Sequence, residues 1–416
     1  MRNFGAAVFI LALLSLFPGV AAAAAKQGEA SAGGTIVLGA SLPLSGKYSI
    51  NGRNTFDGYT LAIKRINELG GVKIDGKAYQ FKLVHYDDES LPAKAAENTE
   101  KLIARDGIKF MLGSYSSALI AAAAPVSEKH KIPMVQSAGG DRALFRNGYK
   151  YFFGVLNTAE AYMRPAVALL AEHAQKAGRD PKALKVALAI EPDPFSRDIR
   201  NGVLEDVKNF GMQVIIDEEL PKDLNDMAGI LKRVQALKPD LFIVSGHEKG
   251  AVTAARQIAE MQIDAPMVGV THCDSAQLIE KFGKAVEYFV CPAQWDDELP
   301  FKDRRFGSAK EFAQTFKKEF KYEPSYAAAQ AAAAVLVFAD AFERADSLNT
   351  EKLRAAIVMT NLRTLFGDIR FDETGKNVAK TMVLYQILGG EFKVVAPSQW
   401  TREKLIYPMP AWSQRP

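Results

Sequence analysis

The chain has 416 residues, 48% of them hydrophobic and 24% charged, which is enough length for two cored domains and excludes a disordered or fibrous polymer. Its formal net charge of +4 drops to +3 without Arg2, the one charged residue among the first 25, and no block of Lys and Arg concentrates the remainder. Nucleic acid requires a concentrated basic face, so it is not an expected partner.

Residues 1–25 read as a secretory signal peptide: Arg2, an apolar run from Ala6 to Phe17, then small residues from Ala21 to Ala25 at a cleavage zone. The apolar run is short for a bilayer span and no stop-transfer charges follow, so export to the periplasm is expected. No later segment reads as long and apolar enough to cross a bilayer. After a small, polar leader at 26–34, strand and helix patterns alternate. Strands are expected at 35–40, 81–86, 108–112 and 132–136, with helices at 54–69, 93–105 and 118–129 between them. A second series follows, with strands at 185–190, 213–218, 241–245, 266–270 and 286–291 and helices at 161–175, 196–210, 227–237 and 250–261. This order predicts an α/β fold with two doubly wound, mostly parallel sheets. Helices at 308–320, 326–345 and 350–359 have no strands between them and should complete an earlier layer. Strands at 381–388 and 392–396 flank Gly389 and Gly390 as a hairpin.

Several motifs carry no chemistry. Residues 71–77, GVKIDGK, match a phosphate-loop spacing, but Ala78 replaces the magnesium-binding hydroxyl and the stretch precedes a strand, so a surface turn is expected. HEKGA at His247 lacks the second histidine of a zinc-protease helix, and the five histidines stand singly, so neither metal nor cofactor is expected. Cys273 and Cys291 are the only cysteines; their spacing has no zinc code, and whether they pair is left open.

Polar turns stand at the carboxyl ends of the predicted strands: 45–52, 114–117, 137–140, 192–195, 246–247 and 271–274. In open α/β sheets this edge binds ligands. In IKFMLGSYSSALIAAAAPV, residues 108–126, a strand breaks at Gly113, and Tyr115, Ser116 and Ser117 precede a helix. The free N–H groups and positive dipole end of that helix suit a carboxylate, while Ser116 or Ser117 serving only as an N-cap is the plainer alternative.

At GASLPLSG (39–46), FDGYTLAIKRINELGGV (56–72), HYDDES (85–90), DGIKFMLGSYSSA (106–118) and IPMVQSAGG (132–140), the chain resembles the leucine/isoleucine/valine-binding family of periplasmic solute-binding proteins that feed ABC importers. The resemblance implies two Rossmann-like lobes joined by a three-crossing hinge, the type I periplasmic binding fold. The lobes would be 35–157 with 296–378, and 158–295 with 379–416. It implies a monomer that hands a small-molecule ligand to an inner-membrane permease. The ligand's carboxylate would meet Ser116 and Ser117 and the backbone at Ala138, Gly139 and Gly140. Asn51 would lie over the ligand, Tyr115 and Tyr326 would wall its side chain, and Phe195 and His247 would close on it from the second lobe. Thr271 stands where the family's amino-acid binders place a glutamate for the ligand's ammonium, and Asp274 or Glu160 would be the substitutes. The reading therefore runs from a branched-chain or other hydrophobic amino acid to an aromatic acid or amide. A hydrolase using Ser117 with His247, and a ligand sensor, are the alternatives of other classes.

Overall fold

A computed structural model describes residues 31–275 and 277–415, so the signal-peptide reading lies outside the described residues. The first strand, β1 (Ser31–Leu42), leads into α1 (Ser49–Glu68), a hairpin of β2 (Val72–Ile74) and β3 (Lys77–Asp87), and then α2 (Pro92–Glu100). After these come β4 (Met111–Leu112), α3 (Ser117–Lys129), β5 (Met134–Gln136) and β6 (Phe152–Gly154). These strands form one sheet in the order β2-β3-β1-β4-β5-β6, parallel except for β2.

The second sheet begins with α4 (Arg164–Lys176), β7 (Lys185–Ile190), α5 (Pro194–Phe210), β8 (Gln213–Glu219) and α6 (Ala228–Leu237). It continues through β9 (Leu241–Ser245), α7 (Glu248–Glu260), β10 (Val268–Val270), the short α8 (Leu278–Phe282) and β11 (Val290–Ala293). The chain then returns to the first sheet. Two small hairpins, β12 (Lys302–Asp303) with β13 (Gly307–Ser308) and β14 (Asn361–Thr364) with β15 (Gly367–Arg370), bracket α9 (Ala309–Phe320), α10 (Tyr326–Ala345) and α11 (Thr350–Val358). Finally β16 (Val383–Leu388) and β17 (Glu391–Ala396) add antiparallel strands to the second sheet, whose order is β17-β16-β11-β10-β9-β7-β8.

Both sheets have a switch point, where successive crossovers leave a strand on opposite sides. It lies between β1 and β4 in the first sheet and between β7 and β9 in the second. Loops diverge there and open a crevice at the strands' carboxyl ends. The turns after β1 and β4 therefore confront those after β7 and β9.

Helix α10 is apolar and long enough to cross a membrane, which corrects the expectation that no such segment exists; 89% of that stretch is buried inside the protein. It packs on α1, where Gly58 lets the two backbones approach: a Cβ there would lie 2.3 Å from Ala328 O. The phosphate-loop lookalike is a hairpin turn, with Asp75 (φ 48°) and Gly76 (φ 70°) between β2 and β3, as an Asp-Gly pair favours. Cys273 and Cys291 are bonded, with Cα atoms 6.1 Å apart, joining the loop after β10 to β11.

Candidate functional site

Two acidic residues from HYDDES build the first lobe's rim. Asp88 accepts Ser41 Oγ at 3.0 Å, Ser114 Oγ at 2.8 Å and Ser90 N–H at 3.0 Å, so one buried carboxylate ties the ends of β1, β3 and β4 together. Burial pushes its carboxyl up to about 6 against those donors. Asp87 folds the turn after β1 by accepting Leu44 N–H at 2.9 Å and Ser45 Oγ at 2.7 Å. Burial opposes its charge, but these donors and Glu89 N–H outweigh that and hold its carboxyl low.

Beyond β4 the backbone turns sharply at Ser116, with φ 79° and ψ 147°, a conformation that only glycine adopts without strain. Ser116 caps α3 by accepting Leu119 N–H at 3.4 Å. The turn sends the buried Tyr115 toward the second lobe and places Ser117 on the crevice. Ser117 Oγ accepts Asp141 N–H at 3.0 Å, which tethers the 137–140 loop to α3.

In the second lobe, Asp193 caps α5, accepting Phe195 N–H at 3.0 Å and Ser196 N–H at 3.2 Å, and so presents Phe195 from the first turn. Burial alone would raise its carboxyl, but the His247 imidazole, 3.5 Å away, and the Ser196 donors bring it to about 2. His247 N–H donates to Glu191 at 2.9 Å, and the other Glu191 oxygen accepts Lys47 Nζ at 2.9 Å from the opposite lobe. His272 Nδ1 lies 2.9 Å from Gly246 O, an acceptor only, so Nδ1 carries the proton and Nε2 accepts Tyr115 Oη–H at 2.9 Å. Burial, with His247 beside it, drives the His272 pKa down to about 3, so it is neutral.

The result is a crevice walled by rings. Its lining includes Tyr115, Tyr162, Phe195, His247, His272 and Tyr326. Phe195 stands 5.2 Å from His272 and 5.5 Å from His247, while Tyr48 meets His247 edge-on at 4.8 Å. The space left is about 10 Å³, room for one water. The lobes are shut on it: besides Lys47–Glu191, Arg142 bridges to Asp198 at 2.6 Å and Glu205 at 2.7 Å on α5.

Of the residues singled out in the sequence, Tyr115, Ser117, Ala138, Phe195, His247 and Tyr326 line this crevice. Ser116 sits behind it as the cap. Ala138 and Gly139 offer no free amide, because both N–H groups donate to Gln136 Oε1, at 2.9 and 2.6 Å. Gly140 makes room for Phe195, whose ring a Cβ there would approach to 3.2 Å. Asn51 is buried within α1 and is absent from the crevice lining. Thr271 is spent on structure, its Oγ1 accepting Gly246 N–H at 2.8 Å and donating to Gly246 O at 2.7 Å. Glu160, one proposed ammonium partner, pairs instead with Lys376 at 3.1 Å. Ser117 and His247 share the crevice, yet Ser117 Oγ is engaged by Asp141 and His247 Nδ1 faces Tyr115 Oη at 3.4 Å, so no Ser–His pair is assembled. Leu156, Tyr162, His272 and Gln330 complete the lining; none is among the contacts expected from the sequence, though His272 falls within the polar turn 271–274. His272 directly follows Thr271, and its place at a strand's carboxyl end was the available signal.

This architecture has many relatives. The branched-chain amino acid transporter substrate binding protein LivJ from Streptococcus pneumoniae, solved in complex with isoleucine, superposes with a TM-score of 0.75 at 22% identity, covering 87% of this chain and 100% of that one. A solute binding protein from R. palustris, solved in complex with benzoate, gives 0.73 at 19% identity over 87% of this chain and 96% of that one. In sequence, the chain is 24% identical over 357 residues to the Leucine-, isoleucine-, valine-, threonine-, and alanine-binding protein of Pseudomonas aeruginosa, covering 85% of this chain and 91% of the relative. It is 25% identical over 226 residues to Leu/Ile/Val-binding protein homolog 8 of Brucella abortus, 54% of this chain and only about half (55%) of that relative's length. The two facing switch points, the ring-walled crevice between them and a match of residues 35–391 to the family model described as periplasmic binding protein place the chain in that family, with its type I fold.

Proposed function

We propose that the chain is the substrate-binding component of an ABC importer, exported to the periplasm, that takes a small aromatic carboxylate between its lobes. It presents that ligand to an inner-membrane permease as a monomer, and it is a binder rather than an enzyme. The lobes would divide as the resemblance implies, at 35–157 with 296–378 and 158–295 with 379–416.

The observation that carries the reading is the pairing of six crevice rings with a Thr271 whose hydroxyl is already committed to Gly246. An ammonium buried there without a carboxylate would cost several kcal/mol, whereas a benzoate-like ring gains from every flat wall. Its carboxylate has a donor in Ser117, whose oxygen accepts Asp141 N–H and so keeps its own hydrogen to give, at the positive end of α3. Contacts from both lobes favour the shut state, and the permease reads closure.

A branched-chain amino acid is the second reading, favoured by Gln330 Oε1, a buried acceptor on the crevice that has no donor among the described residues and could take an ammonium hydrogen. Calorimetry and thermal shift with benzoate, 3,4-dihydroxybenzoate, leucine and isoleucine decide between them. Benzoates should raise Tm while the amino acids do not. Ser117→Ala should weaken benzoate by about 1.5–3 kcal/mol, the range for a hydrogen bond to a charged group. Unchanged affinity would refute this placement of the carboxylate.

A further inference from the structure

Beside the crevice, on the far side of Tyr326, lies a chamber of about 830 Å³ that no part of the proposed importer role uses. Tyr326 lines both spaces. The chamber is built by both lobes: the start of α1, the loop after β10, the crossing after β11 and the segment before α10 all contribute. Its size is that of a small-molecule site.

Its chemistry is one-sided. Two of its acidic residues are already matched, Glu323 by Lys317 and Glu391 by Lys393, and the one arginine on the wall, Arg53, is held by Asp57 at 2.9 Å. That leaves Asp274, Asp296 and Asp297 facing the chamber with no Lys or Arg in ion-pair range among the described residues. Asp296 Oδ1 accepts Glu298 N–H at 2.8 Å. Asp274 is the unanswered group: its Oδ1 is closed off from water and has no hydrogen-bond partner. Burial raises all three carboxyls, Asp274 to about 6, outweighing the backbone N–H groups of Ser275 and Tyr326 at Asp274 and the charge of Lys310 near Asp297. Around them stand Trp295, Tyr322, Tyr326, Tyr385 and Phe392. Carboxylates among aromatic faces hold cations through charge and ring quadrupole together.

We propose that this chamber is a second binding site, for an organic ammonium ion, with Asp274 as the principal counter-charge and Trp295, Tyr322 and Tyr326 as its aromatic walls. The site is separate from the carboxylate crevice and does not depend on what that crevice binds. Because its walls come from both lobes, an occupant would bridge them and favour the shut state.

The test uses the full mature chain and tetramethylammonium chloride as probe, with sodium chloride at equal ionic strength as control. Titration is followed by calorimetry and by tryptophan fluorescence. Saturable binding is expected in the native protein, weakened roughly tenfold in Asp274→Asn, as for loss of a desolvated charge contact. Asp297→Asn, at a half-buried position, should weaken it in the same direction and serves if Asp274→Asn does not fold. Ser117→Ala should leave the ammonium affinity unchanged, which separates failure of this site from failure of the carboxylate reading. No saturable binding at millimolar probe, or equal affinity in the native protein and both aspartate variants, overturns the proposal.

Discussion

His272 shows how one side chain sets conditions for the whole crevice. Its proton sits on Nδ1, its Nε2 accepts Tyr115, and burial lowers its pKa to about 3, against about 6.5 in an unfolded chain. Below pH 6.5 the unfolded chain takes up a proton that the folded one refuses. This group's contribution to stability is therefore complete above that pH and is lost progressively as pH falls toward 3, at up to about 1.4 kcal/mol per unit. Urea unfolding at a series of pH values should show this slope, and His272→Asn should flatten it between pH 6.5 and 4. An unchanged slope in the variant would move the titration elsewhere. Such a role was hard to read in the sequence. Thr271 attracted attention because the family's glutamate stands there, but its Oγ1 bridges Gly246 while its neighbour meets the other lobe. A one-residue difference in which side chain reaches across a cleft depends on backbone twist at the strand end, and His272 has φ 54°.

At the scale of elements, periodicity was a good guide to helices and a poor one to short strands. Helix α10 has the expected span, 326–345, and Ser308 supplies the capping box that starts α9 at Ala309. The strand expected over 108–112 pairs only at Met111–Leu112, because a central parallel strand's apolar run extends beyond its ladder. β6 and the hairpins β12–β13 and β14–β15 escaped notice: two to four residues are too few to show alternation. What no pattern reveals is close approach. The α1–α10 contact depends on Gly58, where a methyl group would meet Ala328 O at 2.3 Å. Gly58→Ala should force the helices apart and destabilise the protein by about 1–3 kcal/mol, the range for overpacking. A lowered urea midpoint at constant slope would register it. An unaltered midpoint would mean that the helices slide apart freely.

For the whole molecule, the question is what holds the lobes shut around a crevice with room for one water. The strongest visible latch is Arg142, in the first lobe, on Asp198 and Glu205 of α5. Glu205 is half exposed, so its arm of the latch is worth about 1 kcal/mol, whereas Asp198 is buried and its arm is a largely buried pair, costlier to break from one side. Arg142→Ala should shift the empty protein toward an open form, seen as a larger radius of gyration by X-ray scattering, and weaken benzoate at least about fivefold. Identical scattering in both proteins would assign closure to the crevice contacts and the Lys47–Glu191 pair. The two-lobed plan itself was legible, because strand–helix alternation restarts after residue 157 and three late helices lack strands of their own. The shut state was not, because the bridges joining Lys47 to Glu191 and Arg142 to α5 span 144 and 56 or more residues.

The Cys273–Cys291 bond fastens the segment bearing Thr271, His272 and Asp274 to a strand of the second sheet. Closing that 18-residue loop is worth about 3 kcal/mol, all of it available only where thiols are oxidised. Material produced in a reducing cytosol would keep both sheets while leaving the rim beside His272 slack. Such a preparation could look folded by circular dichroism and still be deaf to its own ligand, so the redox history of a sample decides whether a silent binding assay says anything about specificity.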